Sequence, residues 1–154
     1  MADGADTRHP VMPPVYLLGA ILAMVGLHFG VPVIAIVPSP LNWLGVVPLV
    51  AGVVMVLWSA SAFSRAGTAI RPFQESSDLV THGLYRYSRN PIYLGMVISL
   101  LGLAAILGSA TPVLVIPFFI WIIQSRFIVF EERGLERTFG ERFTEYRMRV
   151  RRWI

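Results

Sequence analysis

The 154-residue chain contains no cysteine and, since all 13 of its basic residues are arginine, no lysine. Without cysteine there is no disulfide framework, no thiolate nucleophile and no zinc site built on sulfur. Without lysine there is no Schiff-base chemistry of the pyridoxal type. Charge is scarce as well: 14% of residues are charged against 55% hydrophobic, and the mean hydropathy is +0.65. A soluble surface needs about a quarter charged residues, so this composition excludes a soluble globule and points to a membrane protein. The glycines never fall as Gly-x-Gly, which excludes a Rossmann fingerprint and a phosphate-cradling glycine loop. Neither Gly-x-Ser-x-Gly nor His-Glu-x-x-His occurs. His9, His28 and His82 lie far apart with no metal-ligand spacing, so no metal site is expected.

What is present is long apolar sequence. Windows of about 17–25 uncharged residues, the length that crosses a ~30 Å hydrocarbon core, occur at Val15–Val37, Leu41–Phe63, Ile92–Gly108 and Val113–Phe130. Their pattern predicts an all-α integral membrane protein of four transmembrane helices. The four-residue-scale links at Pro38-Ser39-Pro40 and Ser109-Ala110-Thr111-Pro112 suggest two helical hairpins, 15–63 and 92–130. The chain is read as one membrane domain, with a polar tail over 1–14, a functional loop over 64–91 and a C-terminal segment over 131–154. The first run lacks a preceding basic cluster and a cleavage pattern, so it reads as a retained helix. Gly26 and Gly30, four apart, suit close approach of a neighbouring helix.

Every charged residue lies before the first run, between the second and third, or from Arg126 onward. Arginine-rich short loops mark the cytoplasmic face, so both termini and the 64–91 loop are expected there, as in a bacterial-type inner membrane. The net charge of +4 is then accounted for by topology and anionic membrane lipid, with no need for nucleic acid. Beyond Phe130, Leu135, Phe139, Phe143 and Tyr146 recur at spacings of three and four among charged residues, predicting an amphipathic helical segment that Gly140 breaks.

Two clusters carry candidate chemistry. The first is "THGLYRYSRNPIYLGM", residues 81–96. Asn90-Pro91 is a helix start, with Asn placed to accept from the first amides and Pro pre-set for the first turn. A helix start also presents free N–H groups to an anion. The second is Glu131-Glu132 at the end of the fourth run, where boundary carboxylates are functional candidates, although pairing with Arg126, Arg133 or loop arginines is the plainer reading. His28, mid-span, reads first as a hydrogen-bonded interhelical histidine.

Together these clusters resemble the integral-membrane family of isoprenylcysteine carboxyl methyltransferases and phospholipid methyltransferases. The resemblance spans residues 64–153. It rests on Leu79-Val80, Gly83-x-Tyr85, Arg89-Asn90-Pro91-x-Tyr93-x-Gly95 and Glu131-Glu132-x-x-Leu135-x-x-x-Phe139-Gly140, with Tyr146 beyond. It implies S-adenosylmethionine as cofactor. Leu79, Val80, Tyr85, Asn90, Pro91, Ile92 and Tyr93 match pocket-lining positions, and Glu131 matches the acid that contacts the cofactor. His82 and Arg89 join this set as neighbours able to bind ligand. The implied acceptor is lipid-like or membrane-partitioned, methylated on a carboxylate oxygen or an amine nitrogen. Arg126 is then the candidate for an acidic acceptor and Glu132 for a base. The chain departs from the family in two places. The frequent Arg-His-Pro is Arg-Asn-Pro, and the arginine that eukaryotic prenylcysteine enzymes carry four residues before the acid is Phe127. Two other readings are a membrane reductase using a reduced nicotinamide cofactor and a non-catalytic membrane scaffold.

Overall fold

In the computed structural model, residues 12–31, 34–65 and 79–154 are described. The N-terminal tail through residue 11 and most of the central loop, residues 66–78, lie outside them. Among the described residues five helices form: α1 (Pro13–Gly30), α2 (Val46–Arg65), α3 (Pro91–Leu107), α4 (Ala110–Phe139) and α5 (Glu141–Arg149). Short 3₁₀ turns at Leu41–Gly45 and Gly83–Arg86 precede α2 and α3. No named strand forms among the described residues. Helix α1, the run Leu41–Ala62 and α4 are each long and apolar enough to cross a membrane, whereas α3 has 17 residues. Val47, Val50, Val54, Leu57 and Trp58 on α2 are exposed, the surface expected of a helix facing lipid.

The first helix is shorter than the apolar run that encodes it. It ends at Gly30, not Val37, because Val31 precedes Pro32 and is pushed out of the α region, to φ −132° and ψ 70°. Beyond that break the chain crosses to the α3–α4 link, where the N–H groups of Ile36 and Val37 donate to Gly108 O at 2.7 and 3.1 Å. Gly108 itself closes α3 at φ +72°. The His28 ring nitrogen Nδ1 lies 2.8 Å from Ser109 Oγ at the same end, so this histidine makes an interhelical hydrogen bond.

Packing also departs from sequential pairing. Helix α2 lies along α3, whereas α1 packs on α3 and the first half of α4. Helix α3 is therefore enclosed from two sides, which is why Met96, Val97, Leu100 and Ala104 are all buried and its sequence is apolar all round. Gly26 and Gly30 do not mediate a contact. A side chain at either would meet nothing within 4 Å, because α1 turns Ala20 and Met24 inward instead. The close approach is made by Gly45 and Gly52 against Gly102 and Gly95. A methyl group on Gly95 would lie 2.8 Å from Gly52 O, and one on Gly45 would lie 2.5 Å from Gly102 O.

Helix α4 runs 30 residues, past the expected end at Phe130. The rise from Ala110 to Glu131 is about 32 Å, close to the ~30 Å apolar thickness of a bilayer. Gly140, at φ +50°, then breaks the helix and lets α5 fold back. The amphipathic pattern finds its partners there: Leu135, Phe139, Phe143, Tyr146 and Val150 pack around Leu79.

Candidate functional site

Three segments meet at the end of the molecule opposite the α3–α4 link: the approach to α3, the middle of α4, and the stretch after α5. Asn90 occupies the position before α3, with Pro91 first in the helix. Its side chain does not cap the helix as the sequence suggests. The Nδ2 donates instead to Arg152 O at 3.0 Å, and the Asn90 N–H is taken by Ser88 Oγ at 3.1 Å. Among the described residues no side chain therefore caps the first amides of α3, and a helix start leaves such groups unpaired.

Arg89 is the most heavily committed side chain. Nη1 donates to Arg147 O and Val150 O at 3.1 and 3.2 Å, and Nη2 to Glu132 Oε1 at 2.9 Å. The side chain is only 9% exposed, yet its Nε is buried without a hydrogen-bond partner. A buried unpaired guanidinium N–H is costly.

Glu131 and Glu132 are adjacent but differently engaged. The Tyr93 hydroxyl donates to Glu131 Oε1 at 2.6 Å, while Oε2 has no partner among the described residues. Both oxygens of Glu132 are held by Arg152, from Nε to Oε1 at 3.1 Å and from Nη2 to Oε2 at 2.6 Å, with Arg89 sharing Oε1. The acids lie in mid-helix, so no helix end opposes them.

One turn earlier, α4 widens into a π turn over Gln124–Ile128, in which the Val129 N–H reaches back to Gln124 O. Such turns recur at functional sites. Phe127 is buried at 2% exposure, its ring edge-on to Tyr16 with centroids 5.4 Å apart and tilted toward Tyr93 at 6.4 Å. Arg126 is exposed, on another face from Phe127.

The remaining candidates frame this centre. Tyr85 is buried with Val80 and Ala62, and its carbonyl accepts the Tyr146 hydroxyl at 2.6 Å. Burial, with Tyr146 and Glu131 adding, raises the Tyr85 phenol far above its ordinary value, and burial pushes Tyr146 up to about 12 against an opposing effect of Arg89. Both stay protonated near neutrality, and Tyr146 serves as a donor to Tyr85 O. Leu79 packs in the cluster around Phe143, Ile92 is half-buried against the core, and His82 is exposed. The structure thus brings Arg89, Asn90, Tyr93, Glu131 and Glu132 together and leaves Arg126 and His82 on the outside. Arg152 and Ser88 complete the cluster. In the sequence Arg152 is one of a run of arginines, and nothing there separates it from Arg151, which is exposed.

Fold and site define a helical membrane protein with a carboxylate, a tyrosine and a buried arginine gathered where one helix begins and another leaves the apolar layer. The chain belongs to the phospholipid methyltransferase family, which matches residues 41–142. It is 38% identical over 72 residues to the protein-S-isoprenylcysteine O-methyltransferase of Schizosaccharomyces pombe, covering 47% of this chain and 30% of that one. It is 27% identical over 111 residues to a probable protein-S-isoprenylcysteine O-methyltransferase of Oryza sativa subsp. indica, covering 71% and 58%. An uncharacterized protein of Haemophilus influenzae is 35% identical over 63 residues, 41% of this chain and all of its own. The chain therefore spans 30% and 58% of the length of the yeast and rice relatives. No solved structure matches it significantly.

Proposed function

We propose that the protein methylates a lipid-like or membrane-partitioned acceptor with S-adenosylmethionine at the cytoplasmic membrane boundary. The observation that carries this reading is the pairing of opposite charges across one site. The uncapped start of α3 beside the buried Arg89 suits an anion, and the free Oε2 of Glu131, fixed by Tyr93, suits a cation. S-adenosylmethionine carries a carboxylate at one end of its amino-acid portion and an ammonium and sulfonium nearby, so this donor set fits it. In this reading Leu79, Val80, Tyr85, Asn90, Pro91 and Ile92, the positions that match the family's cofactor-lining ones, belong to the same site, together with exposed His82. When bound, S-adenosylmethionine supplies an activated methyl group on a sulfur that leaves as a neutral thioether.

The chain's own task is then to orient the reactants and keep water out. Glu132 accepts from two guanidiniums and serves as an ion-pair anchor in this geometry, leaving it poorly placed to act as a base. That favours an acceptor arriving as an anion, a carboxylate that needs no proton removed, over an amine. The names of the yeast and rice relatives, both O-methyltransferases, point the same way. Exposed Arg126, within the π turn, is the cation available to steer such an acceptor in from the lipid. Phe127 faces inward, so the acceptor carboxylate does not meet an arginine at that position.

Incubating membranes that contain the protein with methyl-labelled S-adenosylmethionine tests the reading. Label in a lipid-soluble product that alkali releases as methanol is expected. Label that resists alkali would favour an amine acceptor, and no protein-dependent label would overturn the reading.

A further inference from the structure

The segment after α5 returns to the site through a set of bonds that the family match, ending at residue 142, does not reach. The Arg89 N–H donates to Arg151 O at 3.0 Å, Asn90 Nδ2 to Arg152 O at 3.0 Å, and Trp153 Nε1 to Gln124 Oε1 at 3.2 Å. Residues 150–153 thus form a strap from the start of α3 to the face of α4 that carries Gln124 and Glu132. Its one charged contact with that face is the two-pronged pair of Arg152 with Glu132.

We propose that Arg152 is a positioning residue of the site, acting through Glu132 to hold the Arg89 guanidinium in place for an anionic group of the ligand. Two guanidiniums share one carboxylate, so the Arg89–Glu132–Arg152 triad keeps one net positive charge beside the α3 start. Next to it, Glu131 offers a carboxyl oxygen to a cationic group. This division matches a zwitterionic ligand such as an amino-acid moiety. Without Arg152, Glu132 neutralises Arg89 alone, and the site loses its net positive charge. Glu132 is only 13% exposed, so water does little to replace the missing fork. The inference rests on the S-adenosylmethionine reading above.

The test is calorimetric titration of the purified protein in lipid nanodiscs with S-adenosylhomocysteine, the demethylated cofactor, with thermal melting read alongside. Arg152→Gln is expected to weaken binding roughly 10- to 100-fold, the scale of a charge-assisted hydrogen bond. Arg152→Lys, which keeps the charge and loses the fork, should recover part of that loss, and it carries the measurement if Arg152→Gln fails to fold. In a Glu132→Gln background, Arg152→Gln should cost less than about twofold more, since both act through one contact. Arg149→Ala, which among the described residues removes an ion pair with exposed Glu145 alone, should bind as the unaltered protein does. Equal binding by the Arg152 variants and the unaltered protein, or losses that multiply in the double variant, would overturn this inference alone. No binding by the unaltered protein would overturn the cofactor reading as well.

Discussion

The α2–α3 seam and the strap over the start of α3 are both tight contacts, made by opposite means. In the seam, Gly45, Gly52, Gly95 and Gly102 bring two backbones together with no ionic group between them, and the Ser99 hydroxyl lies 2.9 Å from Gly95 O in its own helix and 3.5 Å from Leu49 O across the seam. At the strap, nearly every contact is a hydrogen bond to a charged side chain or a main-chain carbonyl, and the residues joined lie from 20 to 64 apart in sequence. The seam works by excluding volume, so it tolerates no added atom. The strap works by matching donors to acceptors, so single bonds in it can be changed with the fold kept. The difference separates what holds the protein together from what prepares it to bind.

Breaking the seam should have the largest effect. Gly95→Leu forces a side chain onto Gly52 O and Val56, and overpacking at a backbone contact costs about 3 kcal/mol or more. The expected outcome is loss of the cooperative thermal transition and of the folded species in gel filtration. A variant that melts like the unaltered protein would show that the helices can separate without penalty.

Next comes the site's edge of α3. Tyr93→Phe keeps the ring beside Phe127 and removes only the 2.6 Å bond to Glu131. Folding should survive, and cofactor affinity should fall roughly three- to tenfold as Glu131 loses its fixed rotamer. Affinity and melting temperature measured on the same sample would separate the two effects, and a change in melting alone would move Tyr93 to the structural side of the comparison.

The smallest effect is in alkali. The Tyr146 phenol lies at about 12 in the folded protein against 10.0 ordinarily. The unfolded chain therefore ionises first, and the stability this group contributes is intact below pH 10 and lost as pH rises from about 10 to about 12. Tyr146→Phe should flatten that part of the melting profile, although the variant is less stable near neutrality for want of the bond to Tyr85 O. An unchanged alkaline slope would show that Tyr146 is not the group responsible.

The parts of this molecule legible in the sequence are those written in local pattern. Apolar runs marked the membrane helices, Asn90-Pro91 marked the start of α3, Gly140 marked the break before α5, and the spacing of Leu135, Phe139, Phe143 and Tyr146 marked a buried face. What escaped was set by tertiary contact. Gly26 and Gly30 have the spacing of a packing motif, yet only a neighbour gives such spacing meaning, and α1 turns a different face inward. The π turn leaves no mark in composition. The pairing of Glu132 with Arg152, 20 residues apart, depends on the fold-back at Gly140, so the sequence offers Arg126, Arg133 or the loop arginines as partners of both acids and does not single out Arg152. The side chain of Asn90 had a local expectation, capping, and a distant partner took it.

The proposed activity stands or falls on whether Glu131 and the start of α3 form one cofactor site. Its most direct measurement is calorimetric titration of S-adenosylmethionine into the unaltered protein and into Glu131→Gln, with folding checked by thermal melting. Saturable binding to the unaltered protein is expected, with a loss of roughly 10- to 100-fold in the variant, whose melting is little changed. Equal binding by both proteins, or none by either, would contradict it.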